Sequence, residues 1–193
     1  TGAVEGAEDD AQAARVELEA RMLSKDDIVF GIAAGGTTPF VHGALAFARE
    51  RGAASVFLAC VPFEQAPDRA DVSIRVVTGA EVLTGSTRLK AGTATKLVLN
   101  TVTTLAMARL GKVYGNLMID VDTRTNTKLV ERGARIVTTL TGLSRDAALA
   151  LLERANGQVK VALVMHTLGC DATTAQRKLD EERGFVRRLL ERR

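Results

Sequence analysis

Apolar residues fall in two distinct rhythms along the first eighty positions. Across residues 11–23 they recur at Ala14, Val16, Leu18, Met22 and Leu23 between charges, the spacing of an amphipathic helix. Ser24-Lys25-Asp26-Asp27 makes a turn, and residues 28–33 then form a short unbroken apolar run, Ile-Val-Phe-Gly-Ile-Ala. Its length and β-branched content predict a strand buried on both faces. Gly35-Gly36-Thr37-Thr38-Pro39 interrupts the run, and residues 40–51 return to helical spacing, with Thr38 as N-cap and Pro39 at the first helical position. Further apolar runs at 54–59 and 72–77 predict a second and a third strand. Strand, loop, helix, strand is the βαβ pattern of an α/β fold with a parallel sheet. Ligands of such sheets bind at the carboxyl ends of the strands, which directs attention to residues 34–38 and 78–90.

Beyond Gly92 the pattern predicts helices only. Residues 93–110 and 123–140 are long periodic segments joined by a loop over 111–116. From Leu143 onward the chain reads as a separate small bundle. Ser144 caps a helix over 145–154, residues 158–168 form a second, and Asp171 caps a third that runs to 183. Gly184 precedes a basic tail containing Arg187, Arg188, Arg192 and Arg193, read as a solvated helix face or an intersubunit contact.

Composition narrows the functions. The 193 residues, 46% apolar and 25% charged, suit one globular domain with a small helical appendage. Lys plus Arg is 26 against 23 for Asp plus Glu, a net charge of +3 that does not point to nucleic acid. Six Phe, one Tyr and no Trp offer few platforms for stacking bases or sugar rings. No stretch has the uninterrupted apolar length that a bilayer requires, and no secretory signal opens the chain. Cys60 and Cys170 fit neither a disulfide framework nor a zinc spacing, so a reducing cytoplasm is the expected compartment. The chain opens at Thr1, without Met, as a fragment or a processed product would.

Two segments carry chemistry. The turn Ala34-Gly35-Gly36-Thr37-Thr38-Pro39 has the parts of an anion cradle: glycines that admit a ligand to the backbone N–H groups, hydroxyl donors, and the positive end of a helix. It is neither a Walker loop nor a dinucleotide fingerprint. On the residues alone, an ordinary capped turn is an equally good reading. The second segment is Gly79-Ala80-Glu81-Val82-Leu83-Thr84-Gly85-Ser86-Thr87-Arg88-Leu89-Lys90-Ala91-Gly92-Thr93-Ala94-Thr95-Lys96. Hydroxyls, glycines and three cations at the start of a helix suit a phosphorylated or otherwise anionic small molecule, with Arg88 or Lys90 as counter-charge. The plain alternative, a solvated and well-capped helix start, leaves the Gly-Ser-Thr cluster without a purpose.

The run from Gly79 to Lys96 resembles the signature of the family that contains bacterial N-acetylmuramic acid 6-phosphate etherases and the vertebrate glucokinase regulatory protein. Val4-Glu5-Gly6-Ala7-Glu8-Asp9, the Gly31 to Pro39 turn, Gly111-Lys112-Val113-Tyr114-Gly115-Asn116-Leu117-Met118 and Asn126-Thr127-Lys128-Leu129 are similar to further motifs of the etherases. The resemblance implies a parallel-sheet sugar isomerase (SIS) domain over 1–112, missing its first strand, a connecting helical segment over 113–142, and a C-terminal helical domain over 143–193. It also implies that roughly a hundred residues precede this chain in the parent. That stretch would hold a phosphate loop and the Glu that protonates the leaving group.

The implied activity is cleavage of the D-lactyl ether of N-acetylmuramic acid 6-phosphate, giving N-acetylglucosamine 6-phosphate and D-lactate. It is expected in a cytoplasmic homodimer that uses no metal or cofactor and binds neither nucleic acid nor membrane. Loss of the C2 proton from the open-chain aldehyde needs a carboxylate base. Glu8 matches that position, and Glu5 is read as structural. On the residues alone, Glu8 is an ordinary acid in the first turn of a helix. Gly36, Thr37, Thr38, Ser86, Thr87 and Arg88 are expected on the sugar phosphate and Glu81 near the sugar ring. Lys90 would sit on the phosphate or pair with an acid. Where the family turn has Ser and Arg, this chain has Gly35 and Thr37. A sugar-phosphate-binding regulator and an aldose–ketose isomerase are the alternatives. His42, His166 and Cys60 are read as packing or surface residues, and Asp120 and Asp122 as loop and cap residues rather than metal ligands.

Overall fold

The computed structural model describes residues 6–191 and divides into two compact units, Thr1–Asn100 and Thr101–Arg193. In the first unit, a 3-10 turn (Ala7–Asp9) leads into helix α1 (Ala11–Ala20). Asp10 caps α1 by accepting the Gln12 and Ala13 N–H groups at 2.9 and 3.0 Å. The helix stops earlier than its periodicity predicts because Met22 takes a left-handed backbone, φ 55°. Strands β1 (Ile28–Ile32), β2 (Ala54–Ala59) and β3 (Val72–Arg75) form one parallel sheet in the order β1-β2-β3. Ile28 pairs with Ala54 and Ile32 with Leu58, while Val56 pairs with Val72 and Ala59 with Arg75. Helix α2 (Pro39–Glu50) makes the crossover between β1 and β2. The α/β class with a parallel sheet is therefore as expected.

The core of this unit lies between α2 and one sheet face, where Val29, Leu45, Phe47, Ala48 and Phe57 are buried, with Ala14 of α1 behind them. The opposite face is less covered: Ile28 is 68%, Val72 51% and Ile32 38% exposed. The expectation that residues 28–33 are buried on both faces is corrected accordingly. β1 lies at the sheet edge, and its alternating residues meet α2 on one side only among the described residues.

Helix α3 (Lys90–Arg109) contains the division between the units. The prediction of helices alone after Gly92 also needs correcting. β4 (Val113–Tyr114) and β5 (Leu117–Met118) form an antiparallel hairpin around Gly115-Asn116, with Gly115 at φ 58°. A two-residue turn that accepts positive φ is what permits so short a hairpin. The helix expected at 123–140 begins later, as α4 (Thr127–Thr141). Asp122 nucleates a separate 3-10 turn (Thr123–Thr125), and Asn126 caps α4 by accepting the Lys128 N–H at 2.8 Å. Helices α5 (Arg145–Arg154), α6 (Val159–Leu168), α7 (Ala172–Glu181) and the short α8 (Arg187–Leu190) follow. Ser144 and Asp171 cap α5 and α7 as predicted. One core, including Ile119, Val137, Leu152, Leu163, Leu179 and Leu189, unites α4 with these later helices.

Candidate functional site

Parallel strands end together, so the loops that follow them share one edge of the sheet. Backbone bonds extend the ladder past the strands. Ala33 N–H reaches Leu58 O (3.0 Å), Cys60 N–H reaches Ala34 O (2.9 Å), and Val76 N–H reaches Ala59 O (3.0 Å). Residues 33–38, 60–71 and 76–89 thus begin side by side, and these include both segments marked by the sequence.

The first of them is tightly built. Gly36 N–H closes a turn on Ala33 O at 2.9 Å, and Gly36 itself sits at φ +81°. A Cβ there would lie 2.5 Å from the Ala66 Cβ, so position, conformation and space all require glycine. Ala66 is held in turn by Arg75, which donates to Ala66 O at 2.7 Å, to the Asp68 carboxylate, and to Ser73 Oγ at 3.0 Å. The guanidinium lies over Phe57 and Phe63 at 5.1 and 5.3 Å. Burial pushes the Asp68 carboxyl up, but hydrogen bonds from Ser73, the Ala70 N–H and Arg75 outweigh it, and the net shift is down. Thr38 occupies the N-cap of α2 with extended backbone, yet its hydroxyl makes no capping bond. Thr37 is exposed. His42 approaches the same turn from α2, its Nε2 2.7 Å from Gly36 O and its ring 5.3 Å from that of Phe57.

In the 76–89 loop Glu81 is the organising residue. Its carboxylate accepts the Lys90 N–H at 2.9 Å and the Ala91 N–H at 3.0 Å, and these bonds, Ala91's first, hold its carboxyl below the usual range. Lys90 Nζ donates to Ala80 O at 2.7 Å, tying the two ends of the loop together. Glu81 and Lys90, both expected on substrate, are thus engaged with the backbone around the start of α3. Ser86, Thr87 and Arg88 occupy the last residues before that helix, and Thr87 and Arg88 are exposed. Arg88 has no ion pair among the described residues. Ala34 and Val76 pack with Cys60, Ala91 and Ala94 in one small cluster, which brings the beginning of α3 against the first turn.

Glu8 is exposed in the 3-10 turn before α1, and that turn packs on α2. The register of the two helices fixes where. A Cβ on Gly43 would meet Ala11 O at 2.3 Å, Arg15 pairs with Glu50 at 2.7 Å, and Arg51 Nε donates to Leu23 O at 3.3 Å. Increasing numbers in α1 therefore meet increasing numbers in α2, and the helices run parallel. One turn before Ala11, Glu8 lies beside the first turn of α2, at the sheet edge that carries Thr37 and Thr38. Glu5 lies outside the described residues, as do Arg192 and Arg193.

Nothing in the sequence marks His42 and Arg75 as the residues that organise the turn. One histidine on a helix and one arginine on a strand carry no motif, and only the fold shows what they hold. Cys60 is buried, with Sγ 3.8 Å from Ala91 O. In the second unit Asp122 caps the 3-10 turn, and Arg124 lowers its carboxyl to about 2. Asp120 pairs with both Lys112 and Lys160 at 3.2 Å, beside a cavity of about 350 Å³. None of the substrate-binding or catalytic residues expected from the sequence lines that cavity. Arg187 and Arg188 form surface ion pairs with Glu191 and Glu182.

No family model matches the chain. Individual relatives do. It is 56% identical over 192 residues to a Gloeobacter violaceus protein named N-acetylmuramic acid 6-phosphate etherase, an alignment covering 100% of this chain and 62% of that protein. Proteins of the same name from a Synechococcus species and from Crocosphaera subtropica are 54% and 51% identical. Those alignments cover 92% and 97% of this chain but 56% and 61% of the relatives. The chain thus spans about three fifths of the length of the curated relatives it matches.

Proposed function

The chain belongs to the N-acetylmuramic acid 6-phosphate etherase family, and from that premise we propose that it carries the proton-abstracting carboxylate and the phosphate-holding turns of a carbon–oxygen lyase. The substrate is N-acetylmuramic acid 6-phosphate, and the products are N-acetylglucosamine 6-phosphate and D-lactate, a reaction of cell-wall sugar recycling. The unit bearing the sheet is read as a sugar isomerase domain, and the protein as a cytoplasmic homodimer. Among the described residues no helix is long and apolar enough to cross a membrane.

The supporting observation is the parallel register of α1 on α2, which carries Glu8 to the edge where the hydroxyl-rich turns gather. Backbone N–H groups of the 34–38 turn and the start of α2, with Ser86, Thr87 and Arg88 before α3, take the phosphate. Glu81 and Lys90 fix the loop that presents them. In the open-chain aldehyde, the Glu8 carboxylate removes the C2 proton, and the C–H electron pair moves into an enolate on the C1 carbonyl. The enolate expels the C3 oxygen as lactate, which takes up a proton. Water then adds at C3 of the unsaturated aldehyde, and C2 is reprotonated. The acid that protonates the departing oxygen is assigned to none of these residues.

The test supplies N-acetylmuramic acid 6-phosphate to this chain, and to a fusion adding the unmatched portion of the Gloeobacter relative, while D-lactate is followed. Lactate release by the fusion supports the reading. Binding without release would favour a regulatory module, and a ketose product an isomerase. Glu8→Gln is expected to abolish turnover and leave sugar-phosphate binding within about twofold, since the amide keeps the shape but not the basicity. Unaltered turnover removes Glu8 from the mechanism.

A further inference from the structure

The 34–38 turn contains no Lys or Arg, so any anion it holds must be met mainly by backbone N–H groups and hydroxyls. Backbone donors work only when the peptide planes point the right way. At Gly36 the plane is not set by regular structure: the residue lies between the end of β1 and the start of α2, at φ +81°. Glycine permits several orientations there, at a cost in conformational entropy. The bond that selects one comes from His42, whose Nε2 stands 2.7 Å from Gly36 O.

A carbonyl oxygen only accepts, so Nε2 carries the proton, and the histidine is either the Nε2–H tautomer or the cation. In a trans peptide the C=O and the following N–H point to opposite sides. Drawing the Gly36 carbonyl toward His42 therefore turns the Thr37 N–H away from the imidazole. Among the described residues neither the Thr37 nor the Thr38 N–H has a hydrogen-bond partner, and the Thr38 hydroxyl makes no capping bond. The imidazole is itself held, half-buried and tilted at 47° against the fully buried Phe57 ring. Arg75 packs on that same ring and holds Ala66, whose Cβ occupies the space a side chain at Gly36 would need.

We propose that His42 is a positioning residue for phosphate recognition: its Nε2–H···O=C bond to Gly36 fixes the Gly36–Thr37 peptide so that the Thr37 and Thr38 N–H groups face the substrate's phosphate. This rests on the phosphate-site reading above and assigns that site's donor geometry to a side chain that touches no substrate. Gln extends an N–H to about the position of Nε2, whereas Ala offers none.

The experiment compares the unaltered fusion with His42→Ala and His42→Gln. It measures dissociation constants for N-acetylglucosamine 6-phosphate and for unphosphorylated N-acetylglucosamine, together with the Thr37 amide shift on adding inorganic phosphate. His42→Ala should weaken the phosphorylated sugar about tenfold, the scale of one well-placed hydrogen bond, and leave the unphosphorylated sugar unchanged. It should also diminish the phosphate-induced shift at Thr37, and His42→Gln should restore both to within about threefold. If His42→Ala leaves phosphate affinity intact, weakens both sugars equally, or is not rescued by Gln, the role of His42 is overturned while the site stands. If the unaltered protein binds neither the phosphorylated sugar nor phosphate, the site reading itself fails and takes this assignment with it.

Discussion

Gly43→Ala probes the packing that brings Glu8 to the sheet edge. In the middle of a helix, replacing Gly by Ala ordinarily stabilises by about 0.5–1 kcal/mol, because less backbone entropy is lost on folding. Here the added methyl would meet Ala11 O at 2.3 Å and the Ala11 carbonyl carbon and Cα at 2.9 Å. All three are backbone atoms, which cannot rotate aside, so α1 has to move away from α2. Overpacking of this kind costs about 1–3 kcal/mol, and contact with three rigid atoms belongs at the upper end. The expected net effect is a loss of about 2 kcal/mol, read as a lowered urea midpoint with unchanged slope. Gly92→Ala is the matched control. Its Cβ would approach nothing closer than Thr87 O at 3.5 Å, an ordinary contact, so the same substitution within α3 should stabilise by up to about 1 kcal/mol. A shift of α1 also carries Glu8 with it, and displacing a reacting group by about 1 Å can cost about a hundredfold in rate. Lactate release by the Gly43→Ala fusion should therefore fall far more than its affinity for N-acetylglucosamine 6-phosphate. Equal stability effects from the two alanines, or a Gly43→Ala enzyme with unaltered turnover, would refute the argument that this helix contact places the base.

Two further outcomes follow from the residues that pin the loops. Arg75→Ala leaves the Asp68 carboxylate, whose side chain is 1% exposed, without its cation. Breaking such a pair costs about 3 kcal/mol or more. The released Ala66 should also loosen the Gly36 turn and weaken sugar-phosphate binding, so a variant with parental urea midpoint and affinity contradicts this account. Glu81, Asp71 and Asp122 all have carboxyls lowered by hydrogen bonds in the folded state, from Ala91 and Lys90, from Ser55, and from Arg124. Their contributions are complete above the unfolded value, about 4, and vanish as pH falls through the lowered folded values. The urea midpoint should stay level from about pH 7 to 5 and drop between about pH 4 and 2. Glu81→Gln should shrink that drop, and an identical acid limb in this variant would show that its charge does not hold the start of α3.

The parts of the fold legible in the sequence are those set by local chemistry. β2 occupies the predicted apolar run, because a short aliphatic segment between turns has few alternatives to a strand. α5 and α7 begin where Ser144 and Asp171 foretell, because a cap is a bond between neighbours in the chain. Where expectation and structure part, something not local decides. β1 looks doubly buried because an apolar run does not reveal which of its faces another element will cover, and among the described residues only the face toward α2 is covered. The β4–β5 hairpin is two residues per strand, too short for an alternating pattern to register. The helix at 123–140 loses its first turn because Asp122 and Asn126 cap two successive elements, and periodicity cannot tell one start from two.

The candidate site divides along the same line. The groups proposed to face the ligand stand out in the sequence, since glycines and hydroxyls concentrated at strand ends suit an anion. Its supports do not. Glu81 attracts notice as an acid in a polar loop, yet both its oxygens serve the first N–H groups of α3, nine and ten positions away. His42 and Arg75 carry no motif, and their importance arises because both pack on Phe57 and both reach Gly36, one through a carbonyl bond and one through Ala66. A turn that recognises phosphate through its backbone has no side chain of its own to conserve shape. The shape must come from residues brought in by the fold, and those are the positions at which a substitution alters phosphate affinity without touching the ligand. Glu8 extends the logic to the proposed base: an exposed carboxylate in a one-turn element has no local reason to stand at the strand tips. It does so because Gly43 lets α1 approach α2 in parallel register. The proposed placement of the base and the proposed orientation of the phosphate donors therefore depend on neighbouring positions of α2, Gly43 against α1 and His42 against the Gly36 turn. Gly43→Ala alone should lower kcat with little effect on phosphate affinity and His42→Ala alone the reverse, and either single variant losing both in equal measure would show that α2 transmits the two effects as one unit.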